Sequence, residues 1–173
     1  MALSASPQLS PRGSSGLDTS ISHHAVVDRV RGVGTEDAAG ERWRVTVSVG
    51  PPTIVKWRCD VTFPDPERPF KISVGVKFNA LAANGMPDMS VEREFLTGVT
   101  DDLEAELPGY GAELLLSITS QGHREWVAYA ASHDWMQTWA PGFAKRWMQD
   151  RSFRIDVGKD PDWRIYRAFT RQE

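Results

Sequence analysis

Residues 112–131 read AELLLSITSQGHREWVAYAA, and the fold is decided there. Two apolar runs, about Ala112 to Thr119 and His123 to Ala131, flank Gln121-Gly122, where the glycine admits the tight turn of a β-hairpin. On each side of the hairpin lies a helix and then a strand. Upstream, Phe95, Leu96, Val99, Leu103 and Leu107 recur at the three-to-four spacing of one buried helical stripe, with Asp88 or Ser90 as cap and Leu107-Pro108-Gly109 as stop. Before it, Phe70, Ile72, Val74, Val76 and Phe78 alternate with Lys71, Ser73, Lys77 and Asn79, the period of a half-buried strand. Downstream, Trp135, Trp139, Phe143 and Trp147 are spaced by four behind a capping Asp134, and Pro141-Gly142 is expected to break or kink that helix. Phe153, Ile155 and Val157 then alternate with Arg154 and Asp156 as a last strand. Strand, helix, strand, strand, helix, strand predicts an α+β domain with the ferredoxin-like βαββαβ core and both helices on one sheet face.

Two elements are added to this core. Trp43, Val45, Val47 and Val49 alternate as a strand that Gly50-Pro51-Pro52 ends. A second strand is expected from Thr53 to Phe63, with Val55, Trp57, Cys59, Val61 and Phe63 on its apolar face. The place of this hairpin in the sheet stays open. At the other end, Asp160-Pro161-Asp162 offers a capping carboxylate, a proline for the first helical position and an acid near the positive helix end, so a short helix with Trp163, Tyr166 and Phe169 on its buried side is predicted. Residues 1–40, rich in Ser, Gly and Pro, read as a disordered leader, with a short strand or helix around Ile21 to Val33 left open. Residues 41–173 form the single domain.

Composition narrows the function classes. With one cysteine, Cys59, the chain has neither an internal disulfide nor a multi-cysteine zinc site. Its first residues lack a basic start and an apolar stretch, and no run approaches the ~18 apolar residues of a membrane span, so a cytoplasmic, membrane-free protein is expected. The net charge of −3 gives no general attraction to nucleic acid. That charge is uneven. From Asp88 to Glu113 there are eight acids against Arg93 alone, whereas Lys145 to Arg171 is rich in Lys and Arg. Side by side, the acidic first helix and the partly basic second one would screen each other.

The sequence Gly85-Met86-Pro87, then Glu94, then Gly122-x-Arg124-Glu125 running to Tyr129, and last Asp160-Pro161-Asp162-Trp163-x-x-Tyr166 resembles a bacterial domain-of-unknown-function family, number 695. The resemblance spans about Trp43 to Phe169, and its closing segment is the most specific part. That family is distantly similar to regulator of ribonuclease activity B, a ferredoxin-like protein that inhibits an endoribonuclease by binding it. The resemblance thus implies a regulatory role through protein contacts, although this chain ends Arg171-Gln172-Glu173 in place of that regulator's acidic tail.

No catalytic constellation stands out. His23 and His24 fall in the leader, and His123 and His133 lie at opposite ends of one strand, too far apart at ~3.3 Å per residue to share a metal. His133-Asp134 reads as a loop residue and a helix cap before it reads as an acid-base pair. Nucleophile elbows and Gly-rich phosphate loops are absent, and no cofactor is expected. The expectation is a non-catalytic binding or regulatory domain with a protein partner, reading the acids Glu92, Asp101, Asp102, Glu104 and Glu106 of the first helix. The alternatives are an enzyme of unrecognised chemistry, with Glu125 as the candidate carboxylate beside Arg124, and a single-stranded nucleic-acid module. That module would use an open sheet face carrying Arg124, Lys71, Lys77 and either Trp126 or Tyr129 as a stacking ring. Asp160, Trp163 and Tyr166 are assigned to structure.

Overall fold

The computed structural model describes residues 30–34, 42–48, 51–147 and 149–170. Seven strands, β1 (Val30–Gly34), β2 (Trp43–Ser48), β3 (Ile54–Arg58), β4 (Phe70–Lys77), β5 (Ala112–Ser120), β6 (His123–Ala130) and β7 (Phe153–Lys159), form one sheet in the order β1-β2-β3-β5-β6-β4-β7. Every neighbouring pair is antiparallel. Helices α1 (Met89–Glu106), α2 (Met136–Trp147) and α3 (Arg164–Thr170) complete a mixed α+β architecture. The sheet is wider than a plain βαββαβ unit. Through β3 pairing with β5, the N-terminal hairpin extends the sheet beyond one edge of the core. Of the span read as a leader, Val30–Gly34 is a strand paired with β2, overlapping the segment Ile21 to Val33 for which a short strand or helix was left open. The remainder of residues 1–40 lies outside the described residues.

Alternation along the strands builds a separate core on each face. Ile72, Val74, Val76, Trp126, Ala128 and Ala130 meet Leu96, Val99 and Leu103 of α1 and Trp139 and Phe143 of α2. On the opposite face Val55, Trp57, Leu116, Ile118, Val127 and Tyr129 are covered by Trp163, Tyr166 and Phe169. The closing motif therefore roofs the second face. Trp163 stacks on Tyr129 at 4.3 Å and donates its indole N–H to the Arg68 carbonyl at 3.0 Å, while the Tyr166 hydroxyl reaches the Arg58 carbonyl. Asp160 accepts the Tyr129 hydroxyl at 2.7 Å and the Arg164 N–H at 2.9 Å, so one carboxylate ties the sheet to the start of α3. Trp163 has φ 50°, a left-handed conformation costly for a bulky residue. The stack and the indole bond hold it there.

The acid–base segregation of the two helices resolves into contacts. Arg146 of α2 pairs with Asp102 and Glu106 of α1, Trp139 donates to Glu106 at 2.7 Å, and Trp147 donates to Asp102 at 2.8 Å. Gly98 of α1 lies against the Trp147 ring of α2. A Cβ there would lie 2.4 Å from the Trp147 ring.

Several local expectations are corrected. Helix α2 runs unbroken through Pro141. Its first turn is closed by the His133 carbonyl, which accepts the Met136 N–H, while the Asp134 side chain is 95% exposed. Pro161 sits in the turn before α3 rather than at its first position. The second strand stops at Arg58, not Phe63: the register ends at Trp43↔Arg58, and beyond it the Cys59 N–H makes one further bond, to the Arg42 carbonyl at 2.8 Å. Arg58 then grips Asp60 through two bonds of 2.6 and 2.7 Å, and the chain turns away. Cys59 is consequently exposed rather than a core filler. No helix among the described residues is long and apolar enough to cross a membrane.

Candidate functional site

Directly opposite residues in an antiparallel pair share a face. The register Val45↔Lys56 and Trp43↔Arg58 therefore sets the apolar side of β2 beside the charged side of β3. The Val55 and Trp57 side chains point the other way, toward α3. On the α1 face, the hairpin strands thus present a floor of half-buried Trp43, Val45 and Arg58 with exposed Lys56, Trp43 packing against the core of that face. The outer flank of α1 forms the adjoining wall. Between them lies an open cleft of about 910 Å³, bounded by Thr100, Glu104 and Pro108 on the helix side, by Glu113 and Ser117 of β5, and by Arg68 of the loop before β4.

The electrostatics of this cleft are mixed and largely paired. Glu113 accepts from Arg58 at 3.1 Å and from Arg68, and Arg68 also reaches Asp65 at 3.3 Å. The bond to Asp60 holds the Arg58 guanidinium above its ordinary pKa and, reciprocally, the Asp60 carboxyl below its own. The Arg58 guanidinium lies 5.9 Å from the Trp43 ring centre, within cation–π range. Glu104 is exposed, yet loss of water beside the cleft wall raises its pKa. Asp101 adds to the rise, and Arg58 and Lys56 oppose it. Fixed, paired side chains thus form the base of the cleft, with exposed Lys56 and Glu104 at its surface.

The residues singled out from sequence are dispersed. Of the first-helix acids, Asp101 and Glu104 are exposed, whereas Asp102 and Glu106 are engaged with α2. Glu92 is fully buried, with Oε1 accepting the Asn79 and Ala80 N–H groups at 2.9 and 2.8 Å and Oε2 bound to Arg151 at 2.5 Å. Trp126 is buried under α1 and donates to Thr100 Oγ1 at 3.0 Å. Arg124 lies 5.6 Å over its ring, donates Nε–H to Thr119 at 2.7 Å, and has its pKa lowered to about 10 by burial. Alternation puts Glu125, Lys71 and Lys77 on the other face, where Trp163 covers Tyr129. The structure therefore does not assemble the expected stacking platform of Arg124, two lysines and an aromatic ring.

His133 lies edge-on to Phe70 at 4.6 Å, and its pairing distance to Asp134 is 3.9 Å at an exposed loop. Among the described residues no group of His, Cys, Asp and Glu is arranged to hold a metal ion. Sequence reading missed Trp43, Lys56, Arg58, Arg68 and Glu113 as a group. Their one signal was the pair of oppositely phased strands, and it becomes legible only once the hairpin's place in the sheet is known.

A family model described as a family of unknown function (DUF695) matches residues 42–170. Neither a curated protein nor a solved structure matches the chain.

Proposed function

The chain belongs to DUF695, a family of unknown function, and on that footing we propose that it is a non-catalytic binding domain that engages a protein through the cleft beside α1. The observation that carries this reading is the half-buried floor of β2 and β3 along the cleft. It sets an apolar strip, Trp43 and Val45, beside Lys56 and Arg58 and faces them with Glu104. A polypeptide segment supplies the matching mixture of apolar side chains, charges of both signs and backbone polar groups. A phosphate backbone would meet Glu67, Glu104 and Glu113 along the same walls. The paired base of the cleft favours recognition over turnover, since its carboxylates are already satisfied by arginines. The finer reading of residues 70–159 as a ferredoxin-like unit rests on the neighbours β5-β6-β4-β7 with α1 and α2 on one face. The regulatory analogy to an enzyme inhibitor is one of fold alone.

The test is affinity capture from cytosol with the full chain. Lys56→Glu and Glu104→Lys should each reduce recovery of a specific protein at least about fivefold, the effect of ~1 kcal/mol. Lys77→Glu, on the other face, should not. Capture indifferent to both cleft changes, or recovery of RNA with affinity falling steeply in salt, would replace this reading.

A further inference from the structure

The edge strand β7 carries a second surface, independent of the cleft. We propose that two copies of the chain join edge to edge through β7, as an antiparallel pair centred on Ile155. Strand β7 ends the sheet and pairs only with β4 among the described residues. In an antiparallel ladder, alternate residues turn both backbone groups toward one neighbour. Lys77 donates to the Ser152 carbonyl at 3.0 Å and Asp160 donates to the Pro69 carbonyl at 2.8 Å. With the register Val76↔Phe153 through Phe70↔Lys159, this phase directs the even-numbered residues toward β4. Phe153, Ile155, Val157 and Lys159 then present their N–H and C=O groups outward, as a free edge.

Charge selects the register of a symmetric pair. Centring the two-fold on Arg154 or Asp156 would set identical charges against each other. Centring it on Ile155 sets Arg154 opposite Asp156 of the second copy and Phe153 opposite its Val157. Phe153 and Val157 are exposed, at 38% and 43%, on one face. Arg154 and Asp156 already pair with each other on the opposite face, with side chains 68% and 41% exposed. Residues 153, 155 and 157 are also the ones with outward backbone groups, so this register satisfies the ladder, the apolar pair and the ion pairs together. Such an interface is isologous, each contact occurring twice about the axis. It also removes an open edge that would otherwise accept any extended chain.

Sedimentation equilibrium of the full chain, from about 1 µM to about 1 mM, tests the proposal. The wild-type chain should show a reversible monomer–dimer equilibrium. Arg154→Glu and Asp156→Arg should each weaken it at least about tenfold. An equimolar mixture of the two variants should restore association, because each then faces opposite charges. Val157→Pro removes an outward N–H while sparing the β4 ladder, and should abolish association with the thermal transition retained. A monomer at every concentration would overturn the proposal. So would a dimer indifferent to these changes, or a variant mixture that stays monomeric.

Discussion

Replacing Glu92 by Gln tests whether a buried charge holds the start of α1 to two loops. The carboxylate is fully buried, takes two backbone N–H groups from Asn79 and Ala80, and meets Arg151, whose guanidinium lies 3.8 Å from the Phe95 ring centre. A glutamine keeps one oxygen for the two amides but turns an NH₂ donor toward the guanidinium, leaving a cation with little water and no counter-charge. Breaking a buried ion pair from one side costs about 3 to 5 kcal/mol. At about 2 to 4 °C per kcal/mol for a chain of this size, Glu92→Gln should lower the thermal midpoint by about 6 to 20 °C. Urea titration followed by tryptophan fluorescence measures the free energy directly. In the cycle with Arg151→Met, the double variant should be less unstable than the sum of the singles by at least ~1 kcal/mol. A Glu92→Gln protein within ~0.5 kcal/mol of wild type would refute the clamp, since a solvated carboxylate would behave that way.

Two further predictions follow from the packing. Gly98→Ala, a change that favours an exposed helix by about 1 kcal/mol, should here destabilise by about 1 to 3 kcal/mol, because the new methyl meets the Trp147 ring held by Asp102. A stabilised Gly98→Ala protein in urea titration would show that the α1–α2 approach is looser than described. Burial pushes the Tyr166 phenol up to about 12, and burial with the Asp160 bond raises that of Tyr129 further. Their folded values exceed the ordinary 10.0, so the stabilisation they link to is complete below about pH 10 and is lost as pH rises past it. The urea midpoint should therefore fall between about pH 9 and about pH 11, and unfolding at the higher pH should release tyrosinate absorbance. A midpoint that does not fall over that interval would contradict the buried placement.

The elements of the fold were legible because local periodicity suffices for them. The strand at Phe70, the helix from Met89, the hairpin about Gly122 and the edge strand at Phe153 lie where the alternation and the three-to-four spacing put them. What depended on pairing was not legible. Cys59 continues the alternation of Val55 and Trp57, yet its strand ends one residue earlier, at the last register pair Trp43↔Arg58. Glu92 was counted among the surface acids, although it precedes Leu96, Val99 and Leu103 at spacings of four, three and four and so belongs to their buried face. Chemical type argued for solvent there, and position on the helix was the better guide. The cleft was hidden for a different reason. It arises from a hairpin whose two strands aim their apolar sides at opposite faces, and a single-strand pattern carries no information about that.

The roof over the second sheet face has a temporal consequence. Val55, Trp57, Leu116 and Tyr129 come from the first three quarters of the described chain, but the rings that cover them belong to residues 163–169. A seven-residue helix has little stability by itself, so α3 takes shape on a sheet already in register, with Asp160 reaching Tyr129 as it docks. During synthesis that apolar face stays wet until the last of these rings has left the ribosome. Over that interval the nascent chain offers a broad sticky surface, and it is then that a chaperone, or a misdirected neighbour, would have its best purchase on the molecule.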